Sequence, residues 1–413
     1  MRGFDNRAAV LLALLVWVAY GSTANLPFIS DDYVYLIKAR EYAAPASWCA
    51  LFSDELYRSR ATTIWITAIL ERMFGLVPTA FSATSILFHT LNVLLVYGLG
   101  RWRLVGWPVA MVAAAFFAIA ERPHEAIMWY SALPDLLAFT FSLTAVHGYL
   151  GWLEGRRTWS LMAYSGTLLS FVLGLLSKES AAAAVAFLGL VLLFDPRARR
   201  VHWLALAPLA VAVVVYTGLI FTAGPSHLHL GDGSFVFGWH AVQVLLTSGA
   251  RLLWIWGVAA LALLLLLRPV STHGWRTVGF ALLWMVPALA PYSFLSYMGS
   301  VPSRHTYLAN FGVALLIGLA GYAAFRRWRK NHAWAVRLLA TAVLLHNTGY
   351  IWLYKKPAFR ERAEYTERLV EQAQRSAASP LPISHRKFPF NLELAHDTIL
   401  VRTGQNRTVE FVD

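Results

Sequence analysis

The chain has 413 residues, of which 58% are hydrophobic and only 14% are charged. Soluble domains carry about 25% charged residues, so this balance excludes a soluble globular protein and favours a polytopic helical membrane protein. The formal net charge of +13 does not indicate nucleic-acid binding, because the basic residues are spread between apolar runs and form no patch. The single cysteine, Cys49, excludes an internal disulfide bond.

The first apolar run, residues 8–25, follows a short basic start at residues 1–7. A basic start before an apolar run is also the pattern of a signal peptide. We favour an uncleaved helix, because the rest of the chain then fits one topology. With Arg2 and Arg7 in the cytoplasm, the acidic pair at residues 31–32 lies outside.

A long first outer loop, residues 28–78, separates this run from the others. Within it, residues 32–42 and 62–74 are predicted to form amphipathic helices at the membrane interface. Ten further spans are predicted at about 79–99, 106–121, 135–153, 160–176, 181–194, 202–223, 241–267, 277–298, 306–325 and 334–353. The prediction is therefore an all-α bundle of about eleven membrane spans.

Every predicted inner loop is short and basic, which orients the chain because arginine and lysine favour the cytoplasmic side. The outer loops then share one face with the tail, residues 355–413, while residues 1–354 form the membrane module. In the tail, residues 360–375 are predicted to be helical and residues 399–412 to form a hairpin. The basic residues of the inner loops are Arg101, Arg103, Arg156, Arg157, Arg197, Arg199, Arg200, Arg268, Arg276, Arg326, Arg327, Arg329 and Lys330.

The stretch Phe28-Ile29-Ser30-Asp31-Asp32-Tyr33 places two acids just beyond the first span. Acids at a helix start are typical caps. They also suit a general base or a metal ligand at the mouth of an outer cavity. Adjacent helical residues do not share a face, so one carboxylate is expected to enter the site while the other caps or orients.

A second polar segment lies between two predicted spans. His124 and Glu125 belong either to a solvated loop or to a site at the membrane surface. Asp135 heads a span and has no basic neighbour in sequence, which favours a polar cavity around it.

Two further outer segments carry cations. Lys178 and Glu179 either pair with each other or offer the lysine to a phosphate. At residues 304–307, Arg304, His305 and Tyr307 are either a snorkelling arginine with an interfacial aromatic residue or an anchor for a lipid phosphate.

One outer loop is rich in histidine and raises the question of a metal site. Its spacing is too loose to favour a metal, so no metal ligand is assigned from the sequence. The residues concerned are His227, His229, Asp232 and His240.

These segments, in this order, resemble those of the GT-C glycosyltransferases, integral membrane enzymes that take a sugar from a polyprenyl-phosphate donor. The likeness covers residues 8–355 and is closest to the protein O-mannosyltransferase-like members with tetratricopeptide repeats and to their bacterial relatives. The residues that carry it are 28–33, 88–92, 124–129, 135–137, 176–180 and 304–308.

The resemblance implies that Asp31 or Asp32 is the catalytic base, with Asp31 favoured as the first acid of the pair. It implies that the donor phosphate is bound by Lys178, Arg304, His305 and Tyr307. The residues expected on the acceptor side or in support of the site are His124, Glu125, Asp135 and Glu179.

The tail carries no helical repeat, so a glycan or lipid acceptor is expected as readily as a protein. The resemblance and the composition favour a bacterial inner-membrane protein whose site faces the periplasm or exterior. A phosphate leaving group needs charge stabilisation, and a carboxylate takes the acceptor proton in one inverting displacement. A divalent metal is allowed but not required, and no cofactor is assigned.

Two alternatives stay open. A polyprenyl-lipid transporter or flippase is expected to show inverted repeats or paired broken spans, and the sequence shows neither. A lipid-linked polysaccharide ligase differs in its donor, which carries a diphosphate-linked chain.

Overall fold

The computed structural model describes residues 4–155, 157–222, 232–267, 272–329, 331–376, 378–386 and 388–412. Helices α1 to α16 form the membrane bundle and the first outer loop. In chain order they are Asn6–Tyr20, Asp32–Tyr42, Glu55–Phe74, Pro78–Gly98, Trp107–Ile119, His124–Met128, Leu133–Leu153, Arg157–Leu175, Ala184–Phe194, Arg200–Leu204, Ala207–Thr222, Trp239–Leu253, Trp256–Leu267, Thr272–Ser293, Tyr307–Trp328 and Ala333–Tyr350. The tail adds α17 (Lys356–Arg375), β1 (Leu381–Ile383), α18 (Leu392–Thr403) and β2 (Val409–Phe411).

The predicted all-α membrane fold is confirmed. Within the described ranges, five helices are long and apolar enough to cross a membrane, or six if the bent pair α12 and α13 counts as one span. That pair bends by 72° inside the predicted span 241–267. The predicted number of eleven is not confirmed, because several other apolar helices, among them Trp107–Ile119 and Glu179–Phe194, are shorter than 18 residues.

Helix α15 lies at the centre of the bundle, and most of its residues are buried. Two glycines let its backbone approach neighbouring helices closely. A Cβ on Gly312 would lie 2.4 Å from the carbonyl oxygen of Ala281 in α14, and one on Gly318 would lie 2.6 Å from that of Val109 in α5. Close backbone contact at small residues is how helices pack within lipid, so α15 provides a rigid base for the outer loops.

The first outer loop contains two helices that pack on each other. Helix α2 has the predicted bounds, Asp32–Tyr42. Helix α3 begins at Glu55 and not at residue 62, because the Asp54 side chain accepts a hydrogen bond from the Tyr57 backbone N–H at 2.7 Å and caps the helix there. The ring of Tyr57 stacks on that of Tyr42 at 4.2 Å and joins the two helices.

The predicted hairpin in the tail is wrong. Residues 392–403 form a helix, since Asn391 caps its start and Gly404, with a φ of +70°, ends it in the left-handed region. The last strand, β2, pairs in parallel with β1, so Leu381 lies opposite Val409. The tail has a small apolar core of its own, formed by Leu369, Ala373, Leu381, Ile383, Phe388, Ala395 and Ile399.

The tail packs against the first outer loop through α18 and α2. Arg402 in α18 donates to both carboxylate oxygens of Glu367 in α17, at 2.7 and 3.0 Å. It also donates to the hydroxyl of Tyr33 in α2 at 3.1 Å. The tail therefore lies directly beside the acidic pair.

Candidate active site

The two acids at the start of α2 have different surroundings. Asp32 is buried, and its carboxylate accepts hydrogen bonds from the backbone N–H groups of Ile29 and Ser131, both at 2.8 Å, and from the Ser131 hydroxyl. These bonds fasten the first outer loop to the turn before α7. Burial raises the pKa of Asp32 to about 7, although the hydrogen bonds from Ser131 and Ile29 act in the opposite direction.

Asp31 is only half-buried. The Ser30 hydroxyl donates to its carboxylate at 3.0 Å, and the side chain makes no capping bond to α2. Ser30 itself has a φ of +44°, which is uncommon for a residue with a side chain and is typical of functional turns. The Asp31 side chain therefore does not cap α2, although Asp32 lies in the first turn, and the Asp31 carboxylate keeps lone pairs for a ligand.

Trp129 connects this turn to Arg304. The indole N–H of Trp129 donates to the carbonyl oxygen of Ile29 at 3.4 Å. The guanidinium of Arg304 lies over the same indole, 4.9 Å from the ring centroid. Within the described ranges no carboxylate pairs with that guanidinium. Asp31 lies two residues beyond Ile29, in the turn that Trp129 contacts, and among the described residues neither Asp31 nor Arg304 has an ion-pair partner. We call Asp31, Trp129 and Arg304 the open patch.

The turn that carries Arg304, Ser303–Thr306, is held by α6. His124 Nδ1 lies 3.1 Å from the Ser303 hydroxyl, and the Arg304 backbone N–H donates to the Glu125 carboxylate at 3.3 Å. His124 is buried, and burial lowers its pKa to about 4, so the ring is neutral at pH 7. These two residues position Arg304 and do not form the solvated loop that was the alternative.

A second polar cluster lies deeper. Lys178 Nζ lies 2.6 Å from each carboxylate oxygen of Asp135 and 3.2 Å from His305 Nδ1. The hydroxyl of Tyr292 donates to Asp135 at 3.1 Å, and its ring stacks on that of His305 at 4.1 Å. The Lys178 ammonium thus has three close polar contacts, all of them inside this cluster. We call these four residues the paired network.

Glu179 and Tyr307 lie apart from the open patch. Glu179 pairs with Arg60 at 2.8 Å, so the alternative in which Lys178 and Glu179 pair with each other is wrong. The Tyr307 hydroxyl is buried, 2.7 Å from His89 Nδ1 and 3.1 Å from the Asn92 amide nitrogen. Sequence reasoning did not assign roles to Ser131, Tyr292, Ser303 or Arg60, and no local pattern links them to partners about 100 residues away or more.

The histidine-rich loop does not supply a metal site in the part of the chain that can be described. His227 and His229 lie outside the described residues. His240 Nε2 lies 3.3 Å from the Phe294 carbonyl oxygen. Among the described residues no three His, Cys, Asp or Glu side chains come together, so they do not form the protein ligand set that zinc takes. We derive no reaction step through a metal.

Comparison with solved structures shows which fold this is. The archaeal oligosaccharyltransferase AglB from Archaeoglobus fulgidus, in complex with an inhibitory peptide and a dolichol-phosphate, is 13% identical with a TM-score of 0.53 over 98% of this chain. An oligosaccharyltransferase from Archaeoglobus fulgidus in complex with zinc and sulfate is 13% identical with a TM-score of 0.55 over 97% of this chain. ArnT from Cupriavidus metallidurans, bound to undecaprenyl phosphate, is 15% identical with a TM-score of 0.53, over 97% of this chain and 85% of its own.

These likenesses confirm the predicted GT-C fold, the fold of membrane glycosyltransferases. At such low identity they show the fold alone, and the O-mannosyltransferase-like specificity stays a prediction. This chain spans only 64% and 62% of the two oligosaccharyltransferase chains. No family model and no curated protein matches the sequence.

Proposed function

We propose that this protein transfers a sugar from a polyprenyl-phosphate donor to an acceptor hydroxyl at the outer face of the membrane, with Asp31 as general base. The observation that carries the proposal is the open patch, where Trp129 contacts both the Arg304 guanidinium and the turn that holds Asp31, and where neither charge has an ion-pair partner among the described residues. The fold supports it, because AglB and ArnT were solved with dolichol-phosphate and undecaprenyl phosphate.

Arg304 holds the donor phosphate in this proposal. A guanidinium offers two parallel N–H donors that match phosphate oxygens. Trp129 supports the guanidinium from one side, and Glu125 fixes the backbone that carries it. As the bond between the anomeric carbon and the phosphate oxygen breaks, negative charge grows on the phosphate, and Arg304 stabilises it.

Asp31 accepts the proton of the acceptor hydroxyl while the acceptor oxygen bonds to the anomeric carbon. The phosphate leaves as an anion with the bonding electrons, so the displacement is balanced without a further reactant. A retaining reaction would need a second carboxylate as nucleophile. Asp32 is unsuited to that role because it is buried and accepts three hydrogen bonds. The proposed reaction therefore inverts configuration.

The paired network keeps a supporting role. The Lys178 ammonium is already in contact with Asp135 and His305, and the Tyr307 hydroxyl is engaged in the bundle core. We therefore propose Arg304 alone as the protein's phosphate ligand. His305 follows Arg304 directly, so the network anchors the turn that presents the guanidinium.

The test is Asp31→Asn, assayed by single-turnover transfer from a short-chain polyprenyl-phosphate sugar. We expect the rate to fall about 10²–10⁴-fold, the usual worth of a general base, while donor binding is retained. Asp54→Asn is the matched control, because Asp54 caps a helix in the same loop and asparagine caps equally well.

An Asp31→Asn protein that transfers at the wild-type rate contradicts the proposed base. A diphosphate-linked donor run in parallel separates the proposed reaction from that of a polysaccharide ligase. A chelator added to the wild type checks whether a divalent metal takes part.

A further inference from the structure

A small cavity of about 40 Å³ borders the Ser303–Thr306 turn but is not lined by Asp31, Trp129 or Arg304. Three basic side chains reach it from three different segments. Arg122 comes from the loop before α6, Arg251 from the last turn of α12, and Lys355 from the turn that joins α16 to α17. Among the described residues, the only acid in its lining is Glu121.

The positive charge in this cavity is only partly neutralised. The Arg122 Nε atom lies 3.3 Å from a Glu121 oxygen, yet it is buried without a well-formed hydrogen bond. Arg251 donates to the Ser300 hydroxyl at 3.1 Å, and the Lys355 ammonium lies 5.2 Å from the Tyr350 ring centroid. Within the described ranges, neither Arg251 nor Lys355 has a carboxylate within 4.0 Å. Three cations therefore share one carboxylate.

The backbone beside this cavity also has an unusual conformation. Residues 351–355 form a single π-helical turn between α16 and α17. Such turns occur mostly as insertions into α-helices and are frequent at functional sites. Tyr350 and Lys355, which bracket the turn, both line the cavity.

We propose that this cavity is a second anion site, which binds a phosphate group separately from the donor site assigned to Arg304. Guanidinium and ammonium groups are the usual protein partners of phosphate oxygens. The volume exceeds the roughly 10–15 Å³ that one water needs. Trp254 and Ile255, just beyond Arg251, are exposed apolar residues, which suit contact with lipid, so the phosphate group belongs either to a lipid headgroup or to free phosphate.

The proposal goes beyond the transfer reaction, and its test does not use activity. Inorganic phosphate is titrated into the full chain in detergent, and its affinity is measured calorimetrically. We expect Arg122→Gln and Lys355→Gln each to weaken phosphate binding about tenfold or more, since each removes a charged donor. Glu121→Gln is expected to strengthen it, because the competing carboxylate charge is gone. A folding defect does not produce that gain.

Arg304→Ala is the control for the donor site: it removes the phosphate ligand proposed there and is expected to keep the phosphate binding that Arg122→Gln and Lys355→Gln weaken. Loss of all phosphate binding in Arg304→Ala, or no change in all three cavity variants, overturns the proposal. A second arm uses nanodiscs with and without phosphatidylglycerol. Competition by that lipid identifies a headgroup as the source, and its failure to compete identifies free phosphate.

Discussion

The open patch and the paired network contain the same kinds of groups in opposite states. In the paired network, Asp135 and Lys178 bond to each other, and His305 lies 3.2 Å from the ammonium. In the open patch, neither Asp31 nor Arg304 has an ion-pair partner among the described residues. Buried charges are tolerated when they are paired, so the charges of the paired network stabilise each other. Capacity for a ligand remains where the charges are unpaired and nearer to solvent.

The largest expected effect comes from a substitution that breaks the paired network. Asp135→Ala leaves the Lys178 ammonium buried without its counter-charge, and we expect a loss of about 3–5 kcal/mol in the free energy of unfolding. Denaturant unfolding in detergent measures it. The double variant Asp135→Ala with Lys178→Met is expected to recover much of the loss, because the buried charge is then removed. Wild-type stability in Asp135→Ala would show that Lys178 is solvated and free for a phosphate.

The next effect concerns Asp32 and pH. Its pKa is raised to about 7 in the folded protein, mainly by burial, so the folded state holds a proton that the unfolded state releases near pH 4. The free energy of unfolding therefore falls as the pH rises from about 4 to about 7 and levels off above that. The difference of about three pKa units between the folded and the unfolded state corresponds to at most about 4 kcal/mol in the free energy of unfolding.

Unfolding midpoints between pH 4 and pH 8 check this expectation against Asp32→Asn. The variant is expected to be less stable at low pH, because asparagine does not reproduce the three accepted hydrogen bonds, and to lose this part of the pH dependence. An identical slope in both proteins contradicts the assignment to Asp32.

The smallest expected effect tests whether Arg304 binds the donor phosphate. Arg304→Ala removes the cation proposed for the donor phosphate, and we expect donor affinity to fall about 10–100-fold. Arg304→Lys is expected to restore part of it, because one ammonium replaces a planar fork. Arg326→Ala, at an exposed arginine in the last turn of α15, is the matched control. The free energy of unfolding is expected to be the same in all three variants as in the wild type. Unchanged donor affinity in Arg304→Ala would contradict the proposal that Arg304 binds the donor phosphate.

The helices were largely predictable from the sequence because each one is built on an apolar run between polar residues. The predicted spans 79–99 and 306–325 match α4 and α15 to within a few residues. The structure of the tail was harder to predict from the sequence. Its 399–412 segment has hairpin-like turn residues, but the caps at Asn391 and Gly404 favour a helix before the turn.

Which polar side chains matter was also predictable, but their pairing was not. An acidic residue next to an apolar run is easily recognised in a sequence, as Asp31, Asp32 and Asp135 were. The partner of each is set by packing between distant helices: Asp32 binds Ser131, 99 residues away, and Asp135 binds Lys178, 43 residues away. Without those contacts, only its place as the first acid of the pair favoured Asp31 over Asp32.

The bond from Arg402 to Tyr33 has a consequence for how the protein is made. The two residues are 369 positions apart, so the ribosome completes almost all of the described chain between them. Contacts of such long sequence separation form late, since closing a long loop costs entropy before the contact repays it. A nascent chain therefore carries the helix with the acidic pair through most of its synthesis before the tail arrives to hold Tyr33.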